Sequence, residues 1–221
     1  MNKPYITFLI LLILCGTGFW FALKAEGADT GVVSPGTVAE DTTVGSVSWS
    51  NYTNVTSSDD LYTTVTTGVF IGTISYYIKS TNFGFSVPNG ATIDGVVVSV
   101  ERHKTGAPNA KDSSLRLVIG GSITGDDKAD TVTVWPTSDG TATYGSSSDL
   151  WGTMPSASDV NASNFGIVLA TTGGTGGGGG QDANFFVDHI TITVYYTESG
   201  LTVSQTRVQG GMRFTGGVRV Q

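Results

Sequence analysis

The sequence contains a single cysteine, only two histidines and few charged side chains. Cys15, the one cysteine among 221 residues, lies in an apolar run near the N-terminus. A disulfide within the chain is therefore excluded, and so is a metal site built on cysteines. The G-x-S-x-G and H-E-x-x-H motifs of hydrolases and metalloproteases are also absent. We therefore expect no catalytic residues, and a stability that comes from a packed core.

Helix-forming segments are scarce after Leu23. The chain has 31 glycines and is rich in Ser, Thr and Asn, which are poor helix formers. No later stretch shows the 3.6-residue apolar period of an amphipathic helix. The composition predicts an all-β protein, and the length is enough for one ordinary domain with appendages.

Charge is sparse and unevenly distributed. Charged residues make up 13% of the chain, and the formal net charge is −7. Residues 29–198 carry −11, because the segments before and after them carry +1 and +3. An acidic body argues against nucleic-acid binding, which requires a basic surface. We expect no nucleic-acid partner.

The N-terminal segment, residues 1–27, has the pattern of an export signal. Lys3 precedes an apolar run at residues 5–23, which is long enough to cross a bilayer if it remains uncleaved. The sequence thus predicts an exported protein, extracellular or at the cell surface, with residues 5–23 as a cleaved signal or a membrane anchor. Residues 28–44 are rich in Gly, Ser, Thr and Pro and are predicted to form a linker. We expect contact with a membrane only through the N-terminal segment.

Alternating apolar residues predict many short strands between residues 45 and 198. Period-two alternation marks a strand with one buried face, and turn residues separate the segments. We therefore predict a single antiparallel β-sandwich of jelly-roll type. The predicted strands are 46–50, 61–66, 72–79, 83–87, 92–103, 114–122, 131–135, 141–144, 165–171 and 184–197.

The same alternation assigns a buried face to each central strand. A shift of one residue would reverse every face, so the assignment is a sharp test. Five side chains are predicted to face outward: Glu101, His103, Arg116, Thr191 and Thr193. The inward set is Val96, Val98, Val100, Leu115, Leu117, Ile119, Phe165, Ile167, Leu169, Ile190, Ile192 and Val194.

A short unit occurs twice in the predicted sandwich. Residues 82–100 and 164–194 each open with Asn-Phe-Gly and a short apolar strand, and each closes with an aspartate and alternating aliphatic residues. A tight Pro88-Asn89-Gly90 turn connects the first copy, and a long glycine run connects the second. We interpret both copies as core-forming hairpins of a pseudo-symmetric sandwich, with any functional site outside them.

Four motifs, in order, resemble a known module. They are W-S-N with D-D-L-Y (49–62), TNFGFSVPNGATIDGVVVSVER (81–102), WPTSDGTATYGSSSDLWG with DVNASNFGIVL (135–169), and VDHITITVYY (187–196). Together they resemble a β-sandwich module of phage tail or virion proteins and of large bacterial surface proteins, over residues 45–197. The resemblance implies a non-catalytic structural or binding module. An export signal is unusual in phage tail proteins and favours a cell-surface protein.

Two kinds of ligand site are predicted in the loops. Trp135 and Trp151 would stack on sugar rings if exposed, with Asp149 and Asn161 as nearby polar groups. The alternative is that each indole plugs one end of the core.

The second predicted site is acidic. Asp126, Asp127 and Asp130 cluster in one short loop and offer the oxygen ligands that calcium prefers. Asp59 and Asp60 form a second acidic pair, and the alternative in both places is a solvated turn. We expect no cofactor other than calcium.

The C-terminal residues, 199–221, contain a six-residue repeat, T-R-V-Q-G-G, M-R-F-T-G-G and V-R-V-Q, which we call the hexad segment (residues 206–221). Because six is even, strand alternation stays in phase from one repeat to the next. Fully extended, the segment would reach roughly 50 Å, and a lone strand needs a sheet edge to pair with. The alternative is a frayed tail. The predicted assembly strand has Val208, Met212, Phe214, Val218 and Val220 on one face and Arg207, Arg213 and Arg219 on the other.

These patterns predict a non-catalytic extracellular or cell-surface module, structural or adhesive, that self-associates through its C-terminal strand. Two alternatives remain open: a carbohydrate-binding module that recognises surface glycans, and a phage-derived tail or decoration protein.

Overall fold

Eleven strands and two short helical segments occupy residues 27–68, 71–175 and 179–199, the part of the chain that this computed structural model describes. The helical segments are a 3-10 turn at Tyr52–Val55 and the helix α1 (Ala157–Asn161). The strands are β1 (Gly27–Asp29), β2 (Thr37–Asp41), β3 (Thr63–Thr67), β4 (Thr73–Ile74), β5 (Tyr77–Thr81), β6 (Thr92–Gly106), β7 (Lys111–Ile119), β8 (Ser122–Thr124), β9 (Gly140–Gly145), β10 (Gly166–Gly173) and β11 (Ala183–Thr197). The predicted all-β class is confirmed.

The strands form two antiparallel sheets. The five-stranded sheet has the order β1, β11, β6, β9, and β3 also pairs with β11. The six-stranded sheet has the order β2, β5, β10, β7, β8, and β4 also pairs with β10. Apolar side chains from both sheets belong to one hydrophobic cluster, as a β-sandwich requires.

The pair β6 and β11 forms the centre of the five-stranded sheet. The two strands run antiparallel over their whole length, from Thr92 opposite Thr197 to Gly106 opposite Ala183. The register shifts at Asp188, where β11 has one residue more than its partner, and again between Tyr195 and Tyr196. Such irregularities are typical of β-bulges, which re-aim a side chain locally.

The predicted burial pattern is confirmed for the central strands. Eleven of the twelve side chains predicted to face inward are buried, and Ile119 is partly buried against the same core. Each fully buried Leu, Ile or Phe in this set contributes roughly 1.5–3 kcal/mol by removing apolar surface from water. Four of the five outward residues are partly exposed. Thr191 is the exception, because only 7% of it is accessible.

The residues predicted as a linker belong to the sandwich. β1 pairs with the end of β11, and β2 pairs with β5 along the edge of the six-stranded sheet. Val33 and Val38 pack partly buried against the core. The strands β1 and β2 are too short for their apolar residues to form a recognisable alternation in a stretch rich in Gly and Ser. The prediction of a linker was therefore wrong for these residues.

Three predicted strands do not form in the structure, and two more, 72–79 and 114–122, are each divided between two strands, β4 and β5 in the first case and β7 and β8 in the second. Residues 131–133 form bends, because Asp130 accepts hydrogen bonds from the amides of Val132 and Thr133, and residues 134–135 form no strand. Residues 46–50 make only isolated bridges, at Val47 and Ser50. Residues 83–87 form no strand, although their alternate side chains are buried.

The two Asn-Phe-Gly units are not hairpins. In the second unit, β10 lies in the six-stranded sheet and β11 in the five-stranded sheet, so the chain crosses from one sheet to the other. In the first unit, the segment before β6 forms no strand. What the units share is aromatic packing: Phe85 contacts both Phe83 and Phe165, with ring centroids 5.6 and 6.0 Å apart. The hairpin interpretation was wrong, and the repeat contributes to the core.

The N-terminal apolar run and the hexad segment lie outside the described residues. Within the described ranges, no helix is long and apolar enough to cross a membrane.

Candidate functional site

The two tryptophans predicted to bind glycans are core residues. Trp135 is 2% exposed and Trp151 is fully buried. Each indole Nε1 donates a hydrogen bond inside the protein, Trp135 to the Asp112 carboxylate at 2.7 Å and Trp151 to the Val96 carbonyl at 2.9 Å. The rings therefore form no exposed stacking platform, and the alternative of two core plugs agrees with the geometry.

The two polar residues of the predicted glycan site also have structural partners. Asp149 accepts a hydrogen bond from the Trp151 amide at 2.8 Å and pairs with Lys128 at 3.0 Å. Partial burial raises the pKa of Asp149, but these two contacts outweigh it and the net shift is downward. The Asn161 side chain bonds to both the amide and the carbonyl of Val87, each at 2.8 Å. Asn161 thus replaces a strand partner for the unpaired segment before β6.

The three aspartates predicted to bind calcium each have different partners. Asp126 is exposed and pairs with Lys128 at 3.5 Å. Asp127 accepts hydrogen bonds from the Ser114 hydroxyl at 2.6 Å and from the Leu115 amide at 2.8 Å, which attaches the loop to β7.

Asp130 stabilises the turn that follows it in the chain. Hydrogen bonds from Thr133, and then from the Val132 amide, lower the pKa of the Asp130 carboxyl. Among the described residues, no three His, Cys, Asp or Glu side chains are placed to hold a metal ion together. Calcium binding stays a prediction, and the predicted loop forms no coordinating cluster.

A polar cluster is buried inside the sandwich. Asp112, on β7, is fully buried and accepts hydrogen bonds from Arg102 Nη1, Trp135 Nε1 (2.7 Å), the Tyr144 hydroxyl (2.7 Å) and the Asp130 amide (2.9 Å). The Arg102 guanidinium lies 4.4 Å from the Trp135 ring centroid, within cation–π distance. Burial, and then the Asp112 carboxylate, raise the pKa of Tyr144 above its usual range. Because the cluster is inaccessible, it acts on stability and is no binding site.

The burial of Arg102 follows a pattern that is visible in the sequence. Arg102 and Lys104 continue the inward alternation of Val96, Val98 and Val100 on β6. Both are buried, at 5% and 7% exposure, and Lys104 donates to the Ala107 carbonyl at 3.1 Å. Extending the alternation past Val100 would have placed both cations inside, where each charge requires a hydrogen-bond partner.

The rings of three residues, Tyr62, His103 and Phe186, pack together on the outer face of the five-stranded sheet. We call these three residues, together with Asp139, the outer patch. The His103 ring stacks on Phe186 with centroids 4.5 Å apart, and the Tyr62 ring meets both edge-on. Asp139 accepts from the Tyr62 hydroxyl at 2.9 Å and contacts His103 Nδ1 at 2.7 Å. Partial burial raises the pKa of Asp139, but these hydrogen bonds lower it by more. The patch offers partly exposed aromatic surface beside a carboxylate.

A buried carboxylate lies on the same sheet, at the bulge of β11. Asp188 is 1% exposed, and its Oδ2 has no hydrogen-bond partner among the described residues. Its Oδ1 receives only a long contact of 3.4 Å from the Asp59 amide. Burial, and then the charges of Glu101, Asp59 and Asp60, raise the pKa of Asp188. A negative charge on Asp188 is therefore unfavourable in the folded protein.

Neither histidine is part of a Ser-His-Asp triad in the described part of the chain. His189 Nε2 contacts the Ser34 hydroxyl at 2.8 Å, as a nucleophile and its base would. Within the described ranges, however, no carboxylate is hydrogen-bonded to the other ring nitrogen of His189. His103 is engaged with Asp139, as in the outer patch.

The outermost strand β9 leaves one long sheet edge open. β9 pairs only with β6, from Gly140 opposite Arg102 to Gly145 opposite Val97. In the described residues, no other backbone or side-chain group bonds to its second edge. An unpaired edge presents free amides and carbonyls to which another strand can bind. Among the described residues, this edge and the outer patch are two surfaces to which a partner could bind.

Comparison with known proteins adds no family to this description. No protein-family model matches the chain, and no curated protein matches it.

Proposed function

We propose that the protein is a non-catalytic extracellular or cell-surface module, a β-sandwich of jelly-roll type, that is exported by its N-terminal segment and self-associates through the hexad segment. The resemblance to modules of bacterial surface proteins and phage tails supports the same class. The observation that carries the proposal is the alternation in the sequence of the hexad segment: in an extended strand, its apolar residues would share one face and its arginines the other through every repeat.

The described sandwich supports this proposal in two ways. Its most polar interior group, around Asp112, is sealed within the core, where a substrate cannot reach it. Its periphery, in contrast, offers an open edge at β9 and an acidic body for an arginine-bearing strand. Strand addition to a sheet edge is a common way for two chains to associate, because main-chain hydrogen bonds supply the affinity.

Two neighbouring residues of the hexad segment give a matched test. Phe214 belongs to the apolar face and Thr215 to the arginine face. We expect Phe214→Ser to weaken self-association in light scattering at high protein concentration, and Thr215→Ser to leave it unchanged. Equal masses for both variants and the parent chain would refute the proposal.

Carbohydrate binding is a second candidate, and the outer patch favours it over the tryptophans. Tyr62 and Phe186 present partly exposed ring surface next to the Asp139 carboxylate, a combination that suits sugar rings and their hydroxyls. A glycan array probed with the full chain and with Phe186→Ala tests it. Tyr195→Ala, which removes a partly exposed ring from the opposite end of β11, is the control. Glycan signals that Phe186→Ala does not reduce would exclude the patch.

A further inference from the structure

The edges of the two sheets differ in how well they are protected. Natural sheets guard their edges with charges, prolines, bulges, short strands or covering loops, because an open edge pairs with other chains. β9 has none of these features: it is six residues long, Gly-Thr-Ala-Thr-Tyr-Gly, and it contains neither proline nor a charged residue. Thr141 and Thr143 are its exposed side chains.

The sheet edges formed by β3 and β2 are protected against strand addition. On β3, Thr64 exchanges two backbone hydrogen bonds with Ser50, at 2.8 and 3.1 Å, so the chain before β3 covers it. On β2, Glu40 and Asp41 are charged, and both are already engaged: Glu40 accepts from Ser48 and from the Trp49 amide, and Asp41 pairs with Lys79.

The other peripheral strands are too short to accept a long partner. β1 and β8 have three residues each, and β4 has two. Among the described strands, β9 is therefore the longest edge without protection.

We infer that the open edge of β9 accepts the hexad segment of a second copy of this chain by antiparallel or parallel strand addition. The inference rests on the proposed function, and it names the surface that receives the strand. A six-residue edge has the length of one hexad, so a single repeat fills it.

The charges at this edge fit an arginine-bearing strand. Asp139 directly precedes β9, and its side chain is 40% exposed. Glu101 lies opposite Thr141 in the ladder between β6 and β9. Neither carboxylate pairs with a lysine or an arginine of the described chain. A strand added beside β9 carries its outward side chains next to Thr141 and Thr143, and arginines there approach these two carboxylates.

Exposed apolar side chains occur in the loop that leads into β9. Val132 and Val134 are 84% and 40% exposed in this loop. The loop is held at both ends, by the bond from the Asp130 amide to Asp112 and by the bond from the Lys104 amide to the Pro136 carbonyl. Exposed valines on an anchored loop favour contact with an apolar partner.

The test introduces lysines at the edge of β9. Thr141→Lys with Thr143→Lys places charges of the same sign as the hexad arginines on the accepting strand, and edge lysines oppose strand pairing. Both positions are exposed, and the ammonium introduced by Thr141→Lys would face Glu101 across the ladder, so the fold is expected to persist. Circular dichroism and a thermal melt of the double variant verify the fold. Ala39→Lys, at an exposed position of β2 on the other sheet, is the control.

Sedimentation velocity of the full chain and its variants separates the outcomes. We expect the double lysine variant and the deletion of residues 205–221 each to weaken self-association at least tenfold, and Ala39→Lys to leave it unchanged. If the deletion weakens association and the double variant does not, β9 is not the acceptor, and the proposed function stands without it. An equal loss with Ala39→Lys also overturns the inference. If the deletion itself has no effect, the proposed function fails.

Discussion

Replacing Asp112 by asparagine is the sharpest test of how this sandwich is held together. Each oxygen of the Asp112 carboxylate receives two donors: Arg102 and Trp135 at Oδ1, and Tyr144 and the Asp130 amide at Oδ2. An asparagine has one oxygen and one NH2 group. Whichever way the amide is turned, its NH2 faces two donors, and the charge of Arg102 loses its partner inside the core.

The expected cost follows from this geometry. Removing one member of a buried ion pair costs about 3–5 kcal/mol, because the other charge stays buried without compensation. A domain of this size melts about 2–4 °C lower for each kcal/mol lost, so the melting temperature should fall on the order of 10 °C. The side chain of Asp112 is 0% exposed and that of Arg102 is 6% exposed, so solvent screening does not soften the effect.

Urea unfolding followed by tryptophan fluorescence measures this loss, because Trp135 is part of the cluster. Asp126→Asn is the matched control: this carboxylate is 60% exposed, its Lys128 contact is 3.5 Å long, and its removal should cost less than about 1 kcal/mol. Arg102→Met combined with Asp112→Asn should cost less than the sum of the single changes, because the unpaired charge is gone. A loss below about 1 kcal/mol for Asp112→Asn would refute the structural role of the cluster.

Two further changes test other parts of the fold. Because the pKa of Asp188 is raised above its ordinary 3.8, the stability present at lower pH is lost as the pH rises through the raised pKa. Asp188→Asn should therefore melt higher than the parent chain at pH 7, with a difference that shrinks toward pH 4; a lower melting temperature at pH 7 would contradict this. Gly166→Ala should cost about 1–3 kcal/mol in chemical denaturation, because a Cβ there would lie 1.9 Å from the Ser80 carbonyl oxygen. Gly27→Ala, which meets nothing within 4 Å, should be neutral, and equal stabilities would show that the close packing at Gly166 is not essential.

The central strands could be predicted from the sequence because their alternation is strong. Val96, Val98 and Val100, and their counterparts on β7, β10 and β11, recur with period two, and the structure buries them; on β10 the opposite face is buried as well. The peripheral strands could not be predicted in the same way. β2 is an edge strand with Glu40 and Asp41 at its end, and its position depends on pairing with β5, which lies far away in sequence. Long-range pairing of this kind leaves no local pattern.

The predicted sites depended on exposure, which a single sequence does not reveal. Trp135 and Trp151 lie in irregular segments, where an exposed ring and a core plug have the same local pattern. A buried hydrogen-bond acceptor for each indole distinguishes the core plug from the exposed ring. The acceptor lies on β7 for Trp135 and on β6 for Trp151. The outer patch escaped prediction for a related reason, since Tyr62, His103 and Phe186 come from three separate strands or loops and meet only in the folded sheet.

The most direct test of the account is sedimentation velocity on the full chain beside the chain that ends at residue 204. Both proteins keep the N-terminal apolar run, so any association caused by that run is common to both. We predict a larger species in the full chain whose fraction grows with concentration, and its loss in the shortened chain. Identical distributions for the two proteins at every concentration would contradict self-association through the hexad segment.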